Sequence, residues 1–166
     1  MTMPKQKPGR SKQDYETPED LLNAVKKRLK IKAFTFDFAC SQQNKKAPKG
    51  WTEKDDSLTY RPWQWEQASR GGWGWLNPPF AHIAPWAKMC HAAMVNHAQI
   101  VMLVPASVGS QWFWDHIYNE EGVTVWFLKG RPSFDGKGAY PKDCMIVVFD
   151  GKSRDCGMEV WDWRNE

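Results

Sequence analysis

The sequence predicts an α/β fold, in which one sheet carries helices on its faces. Segments with strand propensity alternate along the chain with segments whose apolar residues recur at helical spacing. Residues 99–104 form a continuous apolar run, which is typical of a central strand buried on both faces. Pro78 and Pro79 end the preceding strand-like segment at Asn77, because proline cannot donate a ladder hydrogen bond.

The first structured element is predicted to be a helix. Residues 1–13 mix Pro, Gly and Lys without apolar periodicity, so we expect a flexible basic arm there and a single domain over residues 14–166. Thr17 is predicted as the helix N-cap and Pro18 as its first helical residue, with acidic residues in the first turn. Apolar residues then recur at helical spacing: Leu21, Leu22, Val25 and Leu29.

The remaining elements follow from the same patterns. Residues 33–38 have strand propensity and bring Asp37 to the carboxyl end of the first strand, and the polar residues 41–50 are predicted to form a loop. Further along the chain the predicted elements are a strand at 71–76, a helix opening at Pro85, a strand at 99–104, a helix at 110–118 closed near Gly122, and strands at 123–128 and 144–149. The interleaved tryptophans are interpreted mostly as core and cleft wall: Trp63, Trp65, Trp73, Trp75, Trp112 and Trp114.

Composition excludes several classes of protein. Hydrophobic residues make up 42% of the 166 positions and 11 residues are tryptophan, which excludes disordered, collagen-like and coiled-coil chains. No stretch approaches the roughly 18 apolar residues of a membrane span, and the first residues lack the apolar core of a secretion signal, so we expect a cytoplasmic protein with no membrane contact. The cysteines form no C-x-x-C pair, so we expect reduced, mostly buried thiols and no metal site: Cys40, Cys90, Cys144 and Cys156.

The charge is distributed unevenly along the chain. The net charge of +4 combines +7 over residues 1–49 with −3 over residues 50–166. A basic segment of this kind favours a polyanionic partner such as nucleic acid, although a solvated helix face and a solubilising tail explain it equally well.

Two polar residues lie where an open α/β sheet binds its ligands, outside the carboxyl ends of the strands: Asp37 and Asn77. Asn77-Pro78-Pro79-Phe80 is the more specific signal, because the two prolines fix the backbone beside an amide, a free carbonyl and an aromatic face. The Asn77 amide oxygen and the Pro78 carbonyl could both accept hydrogen bonds from a ring amine while Phe80 stacks on the ring. The tetrapeptide predicts a site for a planar base that bears an amino group.

From about residue 15 to residue 149 the chain resembles the small phage and prophage DNA N6-adenine methyltransferases. The matching segments occur in that family's order: Thr17-Pro18, Phe36-Asp37-Phe38-Ala39-Cys40, Asn44, Trp51-Thr52, Asp55-Asp56-Ser57-Leu58, Trp63, Asn77-Pro78-Pro79-Phe80, Pro85-Trp86, Leu103-Val104-Pro105-Ala106, Trp112-Phe113 and Gly130-Arg131-Pro132-Ser133-Phe134. The resemblance implies a class I, Rossmann-like sheet that binds S-adenosylmethionine, and methylation of adenine N6 in double-stranded DNA.

The resemblance also implies roles for single residues. Asn77, Pro78, Pro79 and Phe80 would be catalytic, and the cofactor would be bound by Thr17, Asp37, Ala39, Asn44, Asp55, Asp56 and Leu58. Asp55 or Asp56 would accept a hydrogen bond from the cofactor's adenine amine, and the sequence does not decide between them. Thr17 could meet the cofactor's carboxylate, because a helix N-terminus favours anions.

DNA contacts are expected from the basic arm, through Lys5, Lys7, Arg10 and Lys12, and from one later loop. Its cations, Arg131, Lys137 and Lys142, stand among glycines and prolines, so this segment could adapt to phosphates, although a plain connection between two strands is the alternative. A paired base cannot reach the predicted pocket, so it must be flipped out of the duplex. No obligate protein partner is evident from the sequence.

One departure from the wider methyltransferase pattern keeps alternatives open. After Asp37 the sequence Ala-Cys-Ser-Gln-Gln replaces the usual glycine-rich turn, so the cofactor loop must be built differently. No Pro-Cys dipeptide occurs, which excludes methylation of cytosine carbon through a thiolate. Cytosine N4, RNA adenine and protein glutamine remain alternative targets, as does a nucleic-acid-binding module without turnover.

Overall fold

A seven-stranded mixed sheet lies at the centre of the part of the chain that the structure describes. The computed structural model describes residues 16–134, 136–152 and 157–166, so the predicted arm at 1–13 lies outside the described residues. In chain order the helices and strands are α1 (Glu19–Arg28), β1 (Phe36–Cys40), β2 (Lys49–Thr52), α2 (Pro62–Ser69), β3 (Gly74–Leu76), α3 (Ala84–Val95), β4 (Ile100–Pro105), α4 (Gln111–His116), β5 (Val123–Leu128), β6 (Cys144–Phe149) and β7 (Gly157–Trp161).

The strand order is β2-β1-β3-β4-β6-β5-β7. Strands β2, β1, β3 and β4 pair in parallel, whereas β6 is antiparallel to both of its neighbours, β4 and β5. The parallel half places the carboxyl ends of β1 and β3 side by side at one edge of the sheet. This arrangement confirms the predicted α/β class.

Helices cover both faces of the sheet. Helices α2, α3 and α4 bury Trp65, Ala87 and Phe113 against one face. The opposite face packs against α1, through residues that include Leu21 and Val25. All six residues of β4 are buried and their side chains alternate between the two faces, as the apolar run predicts for a central strand.

The start of the chain differs from the prediction in two respects. Thr17 is not the N-cap of α1, because Pro18 occupies that position and no side chain caps the helix. The hydroxyl of Thr17 instead accepts a hydrogen bond from Asn77. Asp37 does not follow β1 but lies inside it, because the strand starts at Phe36 and continues through an irregular register to Cys40.

Three regular elements were not predicted from the sequence: β2, α2 and β7. The predicted loop at 41–50 is therefore shorter, since Lys49 and Gly50 belong to β2. Gly50 is required there, because a Cβ atom at this position would lie 2.6 Å from the Asp37 carbonyl oxygen and 2.8 Å from Cys40 Sγ. Strand β3 is also shorter than predicted, beginning at Gly74 rather than residue 71.

The tryptophans and cysteines divide between core and surface. Trp65 and Trp75 lie in the core, but Trp63 and Trp114 are about half exposed, so their assignment to core and cleft wall is wrong. Three of the four cysteines, Cys40, Cys90 and Cys144, are buried free thiols as expected, and Cys156 lies outside the described residues. Within those residues, no helix has the length and apolar character needed to cross a membrane.

Candidate active site

A cavity of about 490 Å³ opens where β1 and β3 end. Its walls come from the end of β1 and the loop after it, the end of β2 and its turn, the residue that follows β3, and the start of α3. The lining residues are Thr17, Asp37, Ala39, Cys40, Ser41, Gln42, Gln43, Asn44, Lys46, Thr52, Glu53, Lys54, Asp56, Ser57, Trp75, Asn77, Pro79 and Trp86.

Seven of the eleven residues that the resemblance assigned to catalysis or cofactor binding come together in this cavity. Thr17, Asp37, Ala39, Asn44 and Asp56 line it, and so do Asn77 and Pro79. The residues that do not line it are Pro78, Phe80, Asp55, Leu58 and the three loop cations, Arg131, Lys137 and Lys142.

The carboxylate of Asp37 shapes one wall. The residue is 2% exposed, and its two oxygens accept hydrogen bonds from the backbone N–H groups of Ala39 (3.2 Å) and Lys46 (2.9 Å). Burial raises the pKa of this carboxyl, and the two backbone donors oppose that rise. The side chain therefore anchors the loop between β1 and β2 at both of its ends.

The two neighbouring aspartates have different environments. Asp55 Oδ2 accepts hydrogen bonds from the backbone N–H (2.7 Å) and the hydroxyl (2.9 Å) of Thr52, and these bonds lower its pKa. Asp56 has a left-handed backbone, with φ of 48°, and lines the cavity just before a 3₁₀ turn that contains Ser57. The Ser57 hydroxyl donates to the Phe38 carbonyl, which fixes this turn on β1. Asp55 thus holds its own turn, while Asp56 borders the cavity.

Asn44 lies in the loop that Asp37 anchors. Its backbone N–H donates to Ser41 Oγ at 3.1 Å, so the residue also forms a local turn. Its side-chain oxygen is buried and accepts no hydrogen bond from any residue that the structure describes. A ligand hydroxyl or amine in the cavity would suit that oxygen.

Asn77 directly follows β3, as the two prolines predict. Its amide Nδ2 donates a hydrogen bond of 3.1 Å to the hydroxyl oxygen of Thr17, which is 2% exposed and stands 60 positions earlier. The start of the described chain and the carboxyl end of β3 therefore meet at the cavity.

Phe80 joins the tetrapeptide to the later loop. Its ring centroid lies 5.9 Å from that of Phe134 and 5.6 Å from that of Tyr140, both in edge-on geometry. Phe134 and Tyr140 also pack edge-on against each other at 5.2 Å. The loop that carries the three predicted DNA-binding cations is thus in contact with the Asn77–Phe80 segment.

The cations of that loop are at the surface. Arg131 is about half exposed and its Nε donates to Asp143 Oδ1 at 2.8 Å, while its carbonyl accepts from Arg164 Nη2 at 3.0 Å. Lys137 and Lys142 are exposed. An exposed ion pair such as Arg131–Asp143 contributes about 0 to 1 kcal/mol, so a phosphate could replace the carboxylate at little cost.

Sequence reasoning did not assign Lys46 to the site. Its ammonium pairs with Glu16 Oε1 at 2.8 Å, and its side chain is 12% exposed against 64% for Glu16. Its position in the loop after the first strand, at the ligand-binding edge of the sheet, was the one available signal. Of the two tryptophans that line the cavity, Trp75 was interpreted among the core and cleft-wall tryptophans, whereas Trp86 was given no role in the site.

Sequence comparisons identify the family of this chain. The family model described as DNA N-6-adenine-methyltransferase (Dam) matches residues 5–153. A curated relative from Escherichia phage T1, a DNA N-6-adenine-methyltransferase, is 25% identical over 144 residues, which cover 84% of this chain and 55% of the relative. The chain therefore spans little more than half the length of that relative. A crystal structure of a predicted O-methyltransferase from Agrobacterium tumefaciens is 18% identical over 53% of this chain and 39% of that chain, with a TM-score of 0.34.

Proposed function

Because this chain belongs to the DNA N-6-adenine-methyltransferase (Dam) family, we propose that it transfers a methyl group from S-adenosylmethionine to adenine N6 in double-stranded DNA. The observation that carries this proposal is the position of Asn77. It stands at the carboxyl end of β3 and lines the same cavity as Asp37, Asn44 and Asp56. Acceptors for a target amine and groups suited to a nucleoside cofactor thus share one space.

The residues of the cavity fit the cofactor. The volume of about 490 Å³ lies within the range of roughly 300 to 1,000 Å³ usual for ligand sites. Asp56 and the buried Asn44 oxygen offer acceptors for amine and hydroxyl groups, Thr17 offers a hydroxyl, and Trp75 and Trp86 provide apolar wall. We assign the contact with the adenine amine to Asp56, with Leu58 behind it in the 3₁₀ turn, because the carboxylate of Asp55 is used by Thr52.

When bound, S-adenosylmethionine supplies a methyl group made electrophilic by its sulfonium. The chain's own contribution is to hold and polarise the nucleophile. The Asn77 amide oxygen and the Pro78 carbonyl would each accept a hydrogen bond from the target amine, which makes its lone pair more available. Phe80 would stack on the target ring, and Pro79 keeps the segment in one conformation.

The target base must leave its duplex to reach this cavity. Extrusion costs a few kcal/mol of unstacking, which phosphate contacts on both sides of the base can offset. Arg131, Lys137 and Lys142 are the proposed source of those contacts, because their loop packs against Phe80 through Phe134 and Tyr140. Lys137 and Lys142 would add charge without specifying sequence.

Transfer of a tritiated methyl group from the cofactor to unmethylated duplex DNA, followed by nucleoside analysis, tests the proposal. Label in N6-methyladenine supports it, and label in N4-methylcytosine moves the target to the other base. In parallel reactions that offer RNA or protein as the acceptor, label that appears only there would mean that the target is RNA or protein and not DNA. If the protein binds DNA but transfers no label at saturating cofactor, it is a nucleic-acid-binding module without turnover.

A further inference from the structure

One of the lysines at the cavity is largely shielded from solvent. Among the described residues two lysines line the cavity, and whereas Lys54 is exposed, the side chain of Lys46 is only 12% exposed. The backbone N–H of Lys46 donates to the buried carboxylate of Asp37 at 2.9 Å, which fixes this residue in the loop after β1. A cation withdrawn from water is costly unless an anion accompanies it. The position of Lys46 therefore favours an anionic partner.

The carboxylate of Glu16 meets this requirement only in part. Lys46 Nζ donates to Glu16 Oε1 at 2.8 Å, but the Glu16 side chain is 64% exposed and does not line the cavity. An ion pair with one exposed partner contributes little, because water competes for the exposed carboxylate. The bond to Glu16 uses one of the three N–H donors of the ammonium, so a ligand carboxylate can be bound as well without displacing Glu16.

The strand order shows on which side of the cavity this ammonium lies. Strands β2 and β3 flank β1, about 10 Å from each other by the usual spacing of strands. Asp56 lies in the turn after β2, whereas Asn77 directly follows β3. Lys46 pairs with Glu16, and the side chain of the next residue, Thr17, is hydrogen-bonded to Asn77 at 3.1 Å. The ammonium therefore lies beside the chain segment that meets Asn77, across β1 from Asp56.

We propose that the Lys46 ammonium binds the α-carboxylate in the methionine part of S-adenosylmethionine. This inference rests on the function proposed above, in which Asp56 accepts the adenine amine and the methyl group is transferred beside Asn77. With adenine at Asp56, the amino-acid part of the cofactor falls on the other side of β1, where Lys46 is the shielded cation. A helix N-terminus had suggested Thr17 for this carboxylate, but Thr17 precedes the N-cap of α1 and its hydroxyl is bonded to Asn77.

Calorimetric titration with two ligands tests this contact without any turnover. S-adenosylmethionine carries the carboxylate, and decarboxylated S-adenosylmethionine lacks only that group. We expect wild type to bind the first ligand about 10- to 100-fold more tightly, as for a hydrogen bond between charged groups. Lys46→Gln should lose this preference, because it weakens binding of the first ligand and leaves binding of the second no weaker. Lys46→Arg keeps the cation and should retain a preference in the same direction.

Lys45→Gln is the matched control, because it removes the same charge from the same loop at an exposed position that does not line the cavity. This control should keep the wild-type preference for the carboxylate.

Three outcomes would overturn the inference. Equal weakening of both ligands in Lys46→Gln would mean that Lys46 only shapes the loop. A loss of affinity for duplex DNA in Lys46→Gln, with the ligand preference intact, would assign the ammonium to a phosphate. Wild type that methylates DNA but binds both ligands equally would overturn this inference alone, and that measurement needs no variant. Wild type that binds neither ligand would overturn the proposed function as well.

Discussion

The Asp37 carboxylate accepts a hydrogen bond of 2.9 Å from the backbone N–H of Lys46, nine positions further along the chain. A second bond, from the Ala39 N–H, closes the other end of the same loop. In many nucleotide-binding folds glycines shape this connection, whereas here Ala-Cys-Ser-Gln-Gln follows Phe38. The carboxylate supplies the constraint that glycine residues supply elsewhere, so the missing glycine turn does not by itself indicate a lost site.

Replacing Asp37 should therefore loosen the loop and the cavity together. Asp37→Ala leaves the N–H groups of Ala39 and Lys46 without their acceptor, at about 1 to 3 kcal/mol each, so we expect the free energy of unfolding to fall by about 2 to 6 kcal/mol. Cofactor affinity should fall as well, because Asn44 and Lys46 lie in this loop and line the cavity. Urea unfolding and calorimetric titration with S-adenosylmethionine measure the two effects. Unchanged affinity in a folded variant would remove Asp37 from the cofactor site.

The pKa of Asp37 predicts a pH dependence of stability. Burial raises this pKa above its ordinary value of 3.8, so the folded protein keeps the proton to a higher pH than the unfolded chain does. The contribution of Asp37 to stability is then largest below that ordinary value and declines as pH rises through the raised one. Unfolding free energies measured at several pH values should show wild type losing stability relative to Asp37→Asn as pH rises toward neutral. A wild type that instead gains stability relative to the variant as pH rises would mean that the two N–H donors outweigh burial.

Asn77→Ala should abolish most methyl transfer while leaving cofactor affinity within a few-fold of wild type. The amide faces the target amine in the proposed mechanism, and removing one such preorganised polar group lowers rates by roughly 10² to 10³. Single-turnover transfer to duplex DNA and titration with S-adenosylmethionine separate the two quantities. Wild-type turnover in this variant would exclude Asn77 from catalysis.

Cys40 offers a chemical probe of the cavity. It lines the cavity, and burial together with the nearby Asp37 charge raises the pKa of its thiol from 9.0 to about 11. At pH 8 the thiolate fraction should be about 100-fold below that of an unperturbed thiol, so alkylation by iodoacetamide should be slow. We expect S-adenosylhomocysteine to slow it further at Cys40 but not at Cys144, whose buried thiol has a pKa of about 12 and does not line the cavity.

Peptide mass spectrometry measures the rate of alkylation of each cysteine separately. The same measurement on the urea-unfolded chain gives the alkylation rate of each thiol when it is not buried. Equal alkylation of Cys40 with and without S-adenosylhomocysteine would indicate that the ligand binds elsewhere. Protection of Cys144 to the same extent would indicate a general stabilisation of the fold.

The sequence predicted the central part of the fold and the end of β3. Strands β4 and β6 are uniformly buried, and such strands are continuous apolar runs that a single sequence reveals. Pro78 and Pro79 fixed the boundary at Asn77 for a steric reason that no tertiary contact overrides. These two features sufficed to place the tetrapeptide at the correct edge of the sheet.

The edge strands and the internal contacts of the site could not be predicted in that way. Strands β2 and β7 have mostly exposed or half-buried residues, so neither shows the alternation that marks a buried face. Helix α2 has one local signal in the sequence, because Pro62 is its first residue and proline favours that position of a helix. The bond between Thr17 and Asn77 joins residues 60 positions apart, and no local pattern encodes such a contact.

The contact between Phe80 and Tyr140, with centroids 5.6 Å apart, leads to a prediction about the later loop. Since this loop packs on the Asn77–Phe80 segment and carries Arg131, Lys137 and Lys142, replacing the three cations by Gln should impair extrusion of the base. Extrusion matters least where the base is already unpaired, so we expect turnover on duplex DNA to fall more than on single strands. Each lost phosphate contact should also reduce the slope of log K against log salt by about 0.9 on a duplex.

A charge-matched variant distinguishes this effect from a change in net charge. Lys30, Lys32 and Lys88 are three cations outside the loop and the cavity lining, and replacing them by Gln removes the same charge. This control should keep the wild-type ratio of duplex to single-strand turnover, because its cations belong neither to the loop that packs on Phe80 nor to the cavity lining. The loop variant should lower that ratio, because it loses phosphate contacts beside the extruded nucleotide. Equal losses on duplex and single strands, or the same ratio in both variants, would show that the loop connects two strands and takes no part in extruding the base.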